Sequence, residues 1–191
     1  MKSASYNLFD TPIGLCGIAW RENGAITRLQ LPEATPKATE QHIARSSRGR
    51  KADAPPPAIA ALIGRIRAHL SGSIQDFQDV PLDLAGVRDF DRQVYGAARR
   101  IPPGETRTYG DLAKLVSSSV QPPLSNLKLP LPRAVGQAMA RNPIPLLIPC
   151  HRVLPASGRL GGFSAHGERA TKARLLRIER ATFPALLAFP S

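Results

Sequence analysis

RAVGQAMARNPIPLLIPCHRV, residues 133–153, carries the strongest structural and chemical signal in the chain. It begins as a helix, Arg133 to Arg141, whose side chains are mostly small: Ala134, Gly136, Ala138 and Ala140. Asn142-Pro143 ends it, because a residue before proline is driven out of the helical region. An apolar run, Leu146-Leu147-Ile148, then leads to Pro149-Cys150-His151-Arg152-Val153, read as an extended segment. Small side chains let a helix approach another surface closely, whether a DNA groove or a second helix, and composition leaves both open. Thr108 is a good N-cap for a helix through Leu115. That helix, a connection and a small-residue helix with a basic end suit a helix-turn-helix.

Cys150 admits three readings. A buried structural cysteine is the commonest fate of a lone thiol, but it calls for neither His151 nor the surrounding charge. A zinc site needs four ligands at chelating spacing, and His42, His69 and His166 form no such pattern with Cys150 and His151. The third is a nucleophile. A thiol reacts as its thiolate, an adjacent histidine raises that fraction, and a carboxylate such as Glu179 can orient the histidine as in a triad.

The chain has 191 residues, 42% of them hydrophobic, which is enough for a packed core. Its net charge is +12, which points to a polyanionic partner, nucleic acid before an anionic membrane surface. Residues 1–88 carry 11 Lys/Arg and 8 Asp/Glu, a net of +3; residues 89–191 carry 15 and 6, a net of +9. The excess lies in the half that holds Cys150. Cys16 and Cys150 are the two cysteines, too few and too far apart for a disulfide framework. No signal-peptide core and no membrane-length apolar run is present, so a reducing intracellular compartment is expected.

The first thirty residues read as strands, with a turn at Thr11-Pro12-Ile13-Gly14 and a hairpin signal at Glu22-Asn23-Gly24. Pro32 to Pro57, rich in Pro, Ala, Ser and basic residues, reads as a flexible loop. Ile59, Leu62, Ile63, Ile66 and Leu70 share one helical face, which predicts a helix over 58–70. A second is expected over 89–100, stopped by Pro102-Pro103-Gly104. Val116 to Pro132 holds four prolines and cannot be a regular helix. Thr171 to Arg180 closes the chain as a helix.

From Ile101 to Glu179 the chain resembles the O6-alkylguanine-DNA alkyltransferases. The pieces are IPPGETRTYGDLA (101–113), residues 133–153, GRLGGF (158–163) and TKARLLRIE (171–179), with LFDTPIG (8–14) similar to the start of the family's first domain. The resemblance implies an α+β N-terminal domain over 1–86, ribonuclease H-like with a small antiparallel sheet and helix. A mainly α, winged helix-turn-helix-like domain then follows over 87–191. It implies irreversible, single-turnover transfer of an alkyl group from O6-alkylguanine, and by extension O4-alkylthymine, in double-stranded DNA to Cys150.

In that resemblance His151 acts through water as the base, Glu179 holds it and Asn142 braces the turn. Tyr109 rotates the nucleotide and serves the leaving guanine. Arg133 fills the vacated stack once the base is flipped through the minor groove, with Ala134, Gly136, Arg141 and Thr108 at the DNA. Met139, Pro145, Val153, Phe163 and Ser164 shape the base pocket. The implied protein is a monomer with no cofactor, no metal and no membrane. It acts in the cytoplasm, at the nucleoid of a bacterium, or in a eukaryotic nucleus. Phe163 replaces a tyrosine common in the family, the loop over 164–168 is longer than usual, and so is the connection over 116–132.

Overall fold

The computed structural model describes residues 4–118 and 129–182. Contacts divide the chain into two compact units. One is Met1–Ala85 with Pro143–Leu147 and Ala165–Gly167; the other is Gly86–Asn142, Ile148–Ser164 and Glu168–Ser191. Two short segments of the second half thus group with the first unit, a feature that a single cut near residue 86 leaves out.

The first unit is built on a sheet. β1 (Ala4–Thr11) and β2 (Gly14–Arg21) form a hairpin, and β3 (Ile26–Gln30) adds antiparallel to β2. α1 (Pro36–Ser47) then leads to β4 (Arg50–Lys51), which pairs parallel with β1. The strand order is β3-β2-β1-β4, so the sheet is mixed rather than antiparallel throughout. α2 (Pro57–Leu70) buries Ile59, Leu62, Ile63, Ile66 and Leu70 along the face that their spacing predicts.

The expected loop over 32–57 is therefore wrong: it contains α1 and β4. Thr35 caps the helix by accepting from the Ala38 N–H, Pro36 sits in the first turn, and Arg48 closes it in the left-handed region. Pro at the helix start and a Thr N-cap are both favourable. The apolar signal is weak because α1 buries only Thr39 and Ile43. Ile43 sits directly on the sheet, and a Cβ at Gly17 would lie 3.0 Å from it. One close contact on a bare strand position replaces the broad apolar stripe by which a helix is recognised in sequence.

The second unit holds α3 (Asp89–Arg99), β5 (Arg107–Thr108), α4 (Tyr109–Ser117), α5 (Leu131–Ala140), β6 (Val153–Leu154) and α6 (Glu168–Ile178). β5 and β6 pair in parallel. Tyr95 of α3 is buried and donates its hydroxyl to the Ala138 carbonyl of α5 at 2.9 Å. Leu154, Leu160, Ala173, Leu176 and Ala181 form the cluster that seats α6. Most of the long connection over 116–132 lies outside the described residues. No helix among the described residues is long and apolar enough to cross a membrane.

Candidate active site

Cys150 opens a single 3-10 turn, Cys150–Arg152, between Pro149 and β6. The expected extended segment is thus a tight turn, which buries Cys150, His151 and Arg152 together. Asn142, just past α5, donates its side-chain N–H to the Ile148 carbonyl at 2.8 Å and also hydrogen-bonds the Cys150 thiol.

Burial pushes the Cys150 thiol up from its ordinary value, against the Asn142 hydrogen bond and the Lys172 charge. Desolvation of a buried thiolate outweighs nearby positive charge, so Cys150 rests as a thiol and needs a base during reaction. Cys16, in β2, is pushed up to about 12 by burial and has no reactive character.

A candidate base stands next in the turn. His151 is fully buried, with Nε2 at 2.9 Å from Glu179 Oε1. Glu179 follows α6, its side chain wholly enclosed. Its backbone is admitted by Gly104, at φ +83, where a Cβ would stand 3.1 Å from the Glu179 carbonyl. A carboxylate only accepts, so Nε2 carries a proton. Glu179 also takes two hydrogen bonds from Arg152, Nε to Oε2 at 2.9 Å and Nη2 to Oε1 at 2.6 Å.

A cavity of about 560 Å³ opens beside the thiol, lined by Cys150, Tyr109, Arg133, Gly136, Met139, Phe163 and Ser164 among others. Tyr109 is the first residue of α4, whose cap is a reciprocal capping box. Thr108 Oγ1 accepts from the Asp111 N–H at 3.0 Å, and the Asp111 carboxylate accepts from the Thr108 N–H at 3.1 Å. Thr108 thereby fixes where Tyr109 begins. Burial and the neighbouring Cys150 raise the Tyr109 phenol, which keeps it protonated and able to donate.

Other residues singled out from sequence sit elsewhere. Ala134 is buried, so the small side chains of α5 divide: Ala134 and Ala138 pack inward, while Gly136 and Ala140 line the cavity. Arg141 Nε meets Asp91 Oδ2 at 3.1 Å, and Asp91 is also bound by Arg88. That pairing gives Arg141 a structural partner. Pro145 and Val153 are not among the lining residues. The Val153 carbonyl accepts from Lys172 Nζ at 2.8 Å.

Lys172 and Arg152 are the site residues that the sequence reading missed. Lys172 is fully buried on α6. Its spacing held a usable signal, since positions 172, 175, 176 and 179 share one helical face. Burial brings its amine down to about 8, and the thiol of Cys150 pulls the other way. A charge that close to the sulfur favours thiolate as the proton leaves.

The sign of its effect on stability follows. Between pH 8 and 10.5 the unfolded chain holds the Lys172 proton and the folded one has lost it. Stability conferred through this group therefore rises with pH across that window. Wild type is expected to gain about 3 kcal/mol on Lys172→Met between pH 7 and 10.5, read by urea unfolding of both proteins. The contribution of Cys16, opposite in sign, cancels in that difference. A difference independent of pH would mean that the folded amine titrates like an ordinary, solvated lysine.

Among the described residues no group of three His, Cys, Asp or Glu is placed to hold a metal ion. A family model described as the DNA-binding domain of 6-O-methylguanine DNA methyltransferase matches residues 89–181. The chain is 34% identical to a methylated-DNA–protein-cysteine methyltransferase of Mycolicibacterium paratuberculosis, over 95% of this chain and 96% of the relative. The chain belongs to the methylated-DNA–protein-cysteine methyltransferase family. The likeness to solved members extends to the whole fold. The crystal structure of Mycobacterium tuberculosis OGT in complex with DNA superposes with a TM-score of 0.68 at 34% identity, covering 96% of this chain and 97% of that one. A Thermus thermophilus relative named DNA base-flipping protein is 39% identical over 66% of this chain and 79% of its own length.

Proposed function

We propose that this protein repairs O6-alkylguanine in double-stranded DNA by one irreversible transfer of the alkyl group to Cys150. The observation that carries the reading is a buried thiol facing a cavity, backed by a histidine held on a buried glutamate. His151 takes the thiol proton, through an intervening water. The sulfur attacks the alkyl carbon in line with O6, so an S–C bond forms as the C–O6 bond breaks. Tyr109 hydrogen-bonds or protonates the departing guanine, and the proton held by His151 restores the balance. A thioether is not hydrolysed, so each molecule acts once. O4-alkylthymine, with the same alkyl–oxygen bond, is a second substrate.

The target base is stacked inside a duplex and must be extruded before the thiol can reach it. Arg133, exposed at the cavity and in the first turn of α5, fills the gap in the stack as α5 enters the minor groove with Gly136 facing the strand. Met139, Phe163 and Ser164 enclose the base, the Ser164 N–H donating to O6. The carbonyls of Cys150 and Val153 accept from the guanine amino group, that of Val153 using its second lone pair. The relative named as a base-flipping protein and the solved DNA complex support this mode. We further propose a ribonuclease H-like first unit, a winged helix-turn-helix-like second unit, action as a monomer, and a cytoplasmic site of action at the chromosome.

The test is mass spectrometry of both cysteine peptides after incubation with a duplex carrying O6-methylguanine. One methyl group on the Cys150 peptide and none on the Cys16 peptide is expected. Binding of the lesion with no mass gain would overturn transfer in favour of recognition alone.

Arg133→Ala is expected to slow repair of duplex DNA by about 10-fold or more, because a few kcal/mol of unstacking loses its compensation. Reaction with the free base O6-benzylguanine should change less than about twofold, as no base is extruded. Equal losses on the two substrates would remove Arg133 from the flipping step. Duplex binding should also weaken steeply with salt through loss of counterion release.

A further inference from the structure

Arg152 is the one buried arginine of the described residues, and each nitrogen of its guanidinium donates a hydrogen bond. Nε and Nη2 fork onto the two oxygens of Glu179, and Nη1 donates to the Ile101 carbonyl at 2.6 Å. His151 reaches Glu179 on Oε1, which also receives Arg152 Nη2. One carboxylate oxygen is therefore shared between the base and a permanent cation, and all three side chains are nearly or fully enclosed.

That sharing has an electrostatic consequence. A buried carboxylate paired with one histidine alone draws a proton onto the imidazole, because an uncompensated buried charge is costly. A histidine protonated at rest cannot accept the thiol proton. Arg152 supplies the counter-charge instead, leaving Glu179 ionised as an acceptor and His151 neutral. Ionisable groups facing the turn, among the described residues, include Cys150 itself, Tyr109 on α4, and Lys172 on α6. Cys150 is held as a thiol by burial and Tyr109 is raised. Lys172 adds positive charge near the sulfur and so works in the same direction as Arg152.

We propose that Arg152 is a positioning residue for the transfer. By occupying Glu179 it keeps His151 neutral, with its proton on Nε2, so that the base is ready at neutral pH. During the step the thiol proton moves to His151, making the cluster of Arg152, Glu179 and imidazolium net positive. That excess charge drives the proton onward to the departing guanine. The proposal rests on the alkyl-transfer reading and deepens it by assigning what sets the protonation state of the base.

The experiment is the pH profile of transfer from O6-benzylguanine, a free base that needs no flipping, for wild type and Arg152→Met. Rates are normalised to the fraction of folded protein. In wild type the acid limb is expected below neutrality. In Arg152→Met it should move up by about one pH unit or more, so that the loss approaches about 10-fold below the wild-type limb and is small at pH 8.5. A uniform loss at every pH would overturn the proposal and leave Arg152 a purely structural tie.

Should Arg152→Met fail to fold, imidazole nitrogen NMR of wild type still decides. His151 must be neutral and protonated on Nε2 at pH 7; an imidazolium at that pH overturns the proposal. Wild type that consumes O6-benzylguanine without modification of Cys150 would instead overturn the transfer reading itself, a result distinct from either.

Discussion

Cys150→Ala is expected to abolish alkyl transfer while leaving lesion binding in place. The reaction needs a sulfur beside the cavity, and the other thiol does not qualify. Cys16 is buried in β2 of the first unit and pushed up to about 12, so it offers almost no thiolate at neutral pH. No residual pathway through a second cysteine exists, and the loss should exceed about 10⁴-fold, since neither water nor a hydroxyl replaces the nucleophile. Truncation at the cavity wall removes one atom and leaves Tyr109, Met139 and Phe163 unchanged around the base. Affinity for a duplex carrying O6-methylguanine should therefore stay within a few-fold of wild type, on the order of 1 kcal/mol. Radiolabelled methyl transfer and duplex binding, measured on one preparation, check both halves. Any methyl group recovered on the Ala variant would defeat the assignment of Cys150.

Glu179→Gln should lose about 10²–10⁴-fold in transfer rate at every pH. An amide presents both a donor and an acceptor, so it no longer forces the His151 proton onto Nε2, and the base loses its orientation. The same change leaves the Arg152 guanidinium buried beside a neutral group. Breaking one partner of a buried pair costs about 3–5 kcal/mol, which thermal unfolding will report as a lower Tm. The two losses differ in kind from those of Arg152→Met, whose defect is confined to acid pH. Transfer within about twofold of wild type in the folded Gln variant would show that His151 works without Glu179.

The second half was the more legible in the sequence. The helix over 89–100, the cap at Thr108 and the break at Asn142-Pro143 are local signals, and each ends or starts an element where the chain does. α1 was not legible, because a helix that touches its sheet through Ile43 and little else leaves no apolar stripe. β4 was missed with it: two residues, Arg50 and Lys51, pair only because α1 returns the chain to β1. The resemblance places Arg141 at the DNA, and in the fold Asp91, fifty residues earlier, also meets it, at 3.1 Å. Composition does not reveal which surface cations are already neutralised.

The sequence by itself singled out a candidate nucleophile, its neighbouring candidate base and the helix that precedes them, because these lie within twenty residues and their types are chemically restrictive. It also determined that the basic excess accompanies the thiol. The protonation state of the site was decided only by the tertiary structure. Burial turns Cys150 into a resting thiol, lowers Lys172 to about 8, and makes Glu179 serve His151 and Arg152 at once. Desolvation and charge pairing depend on what surrounds a group in space, and here those surroundings come from α4, α6 and the turn after α3, segments far apart along the chain.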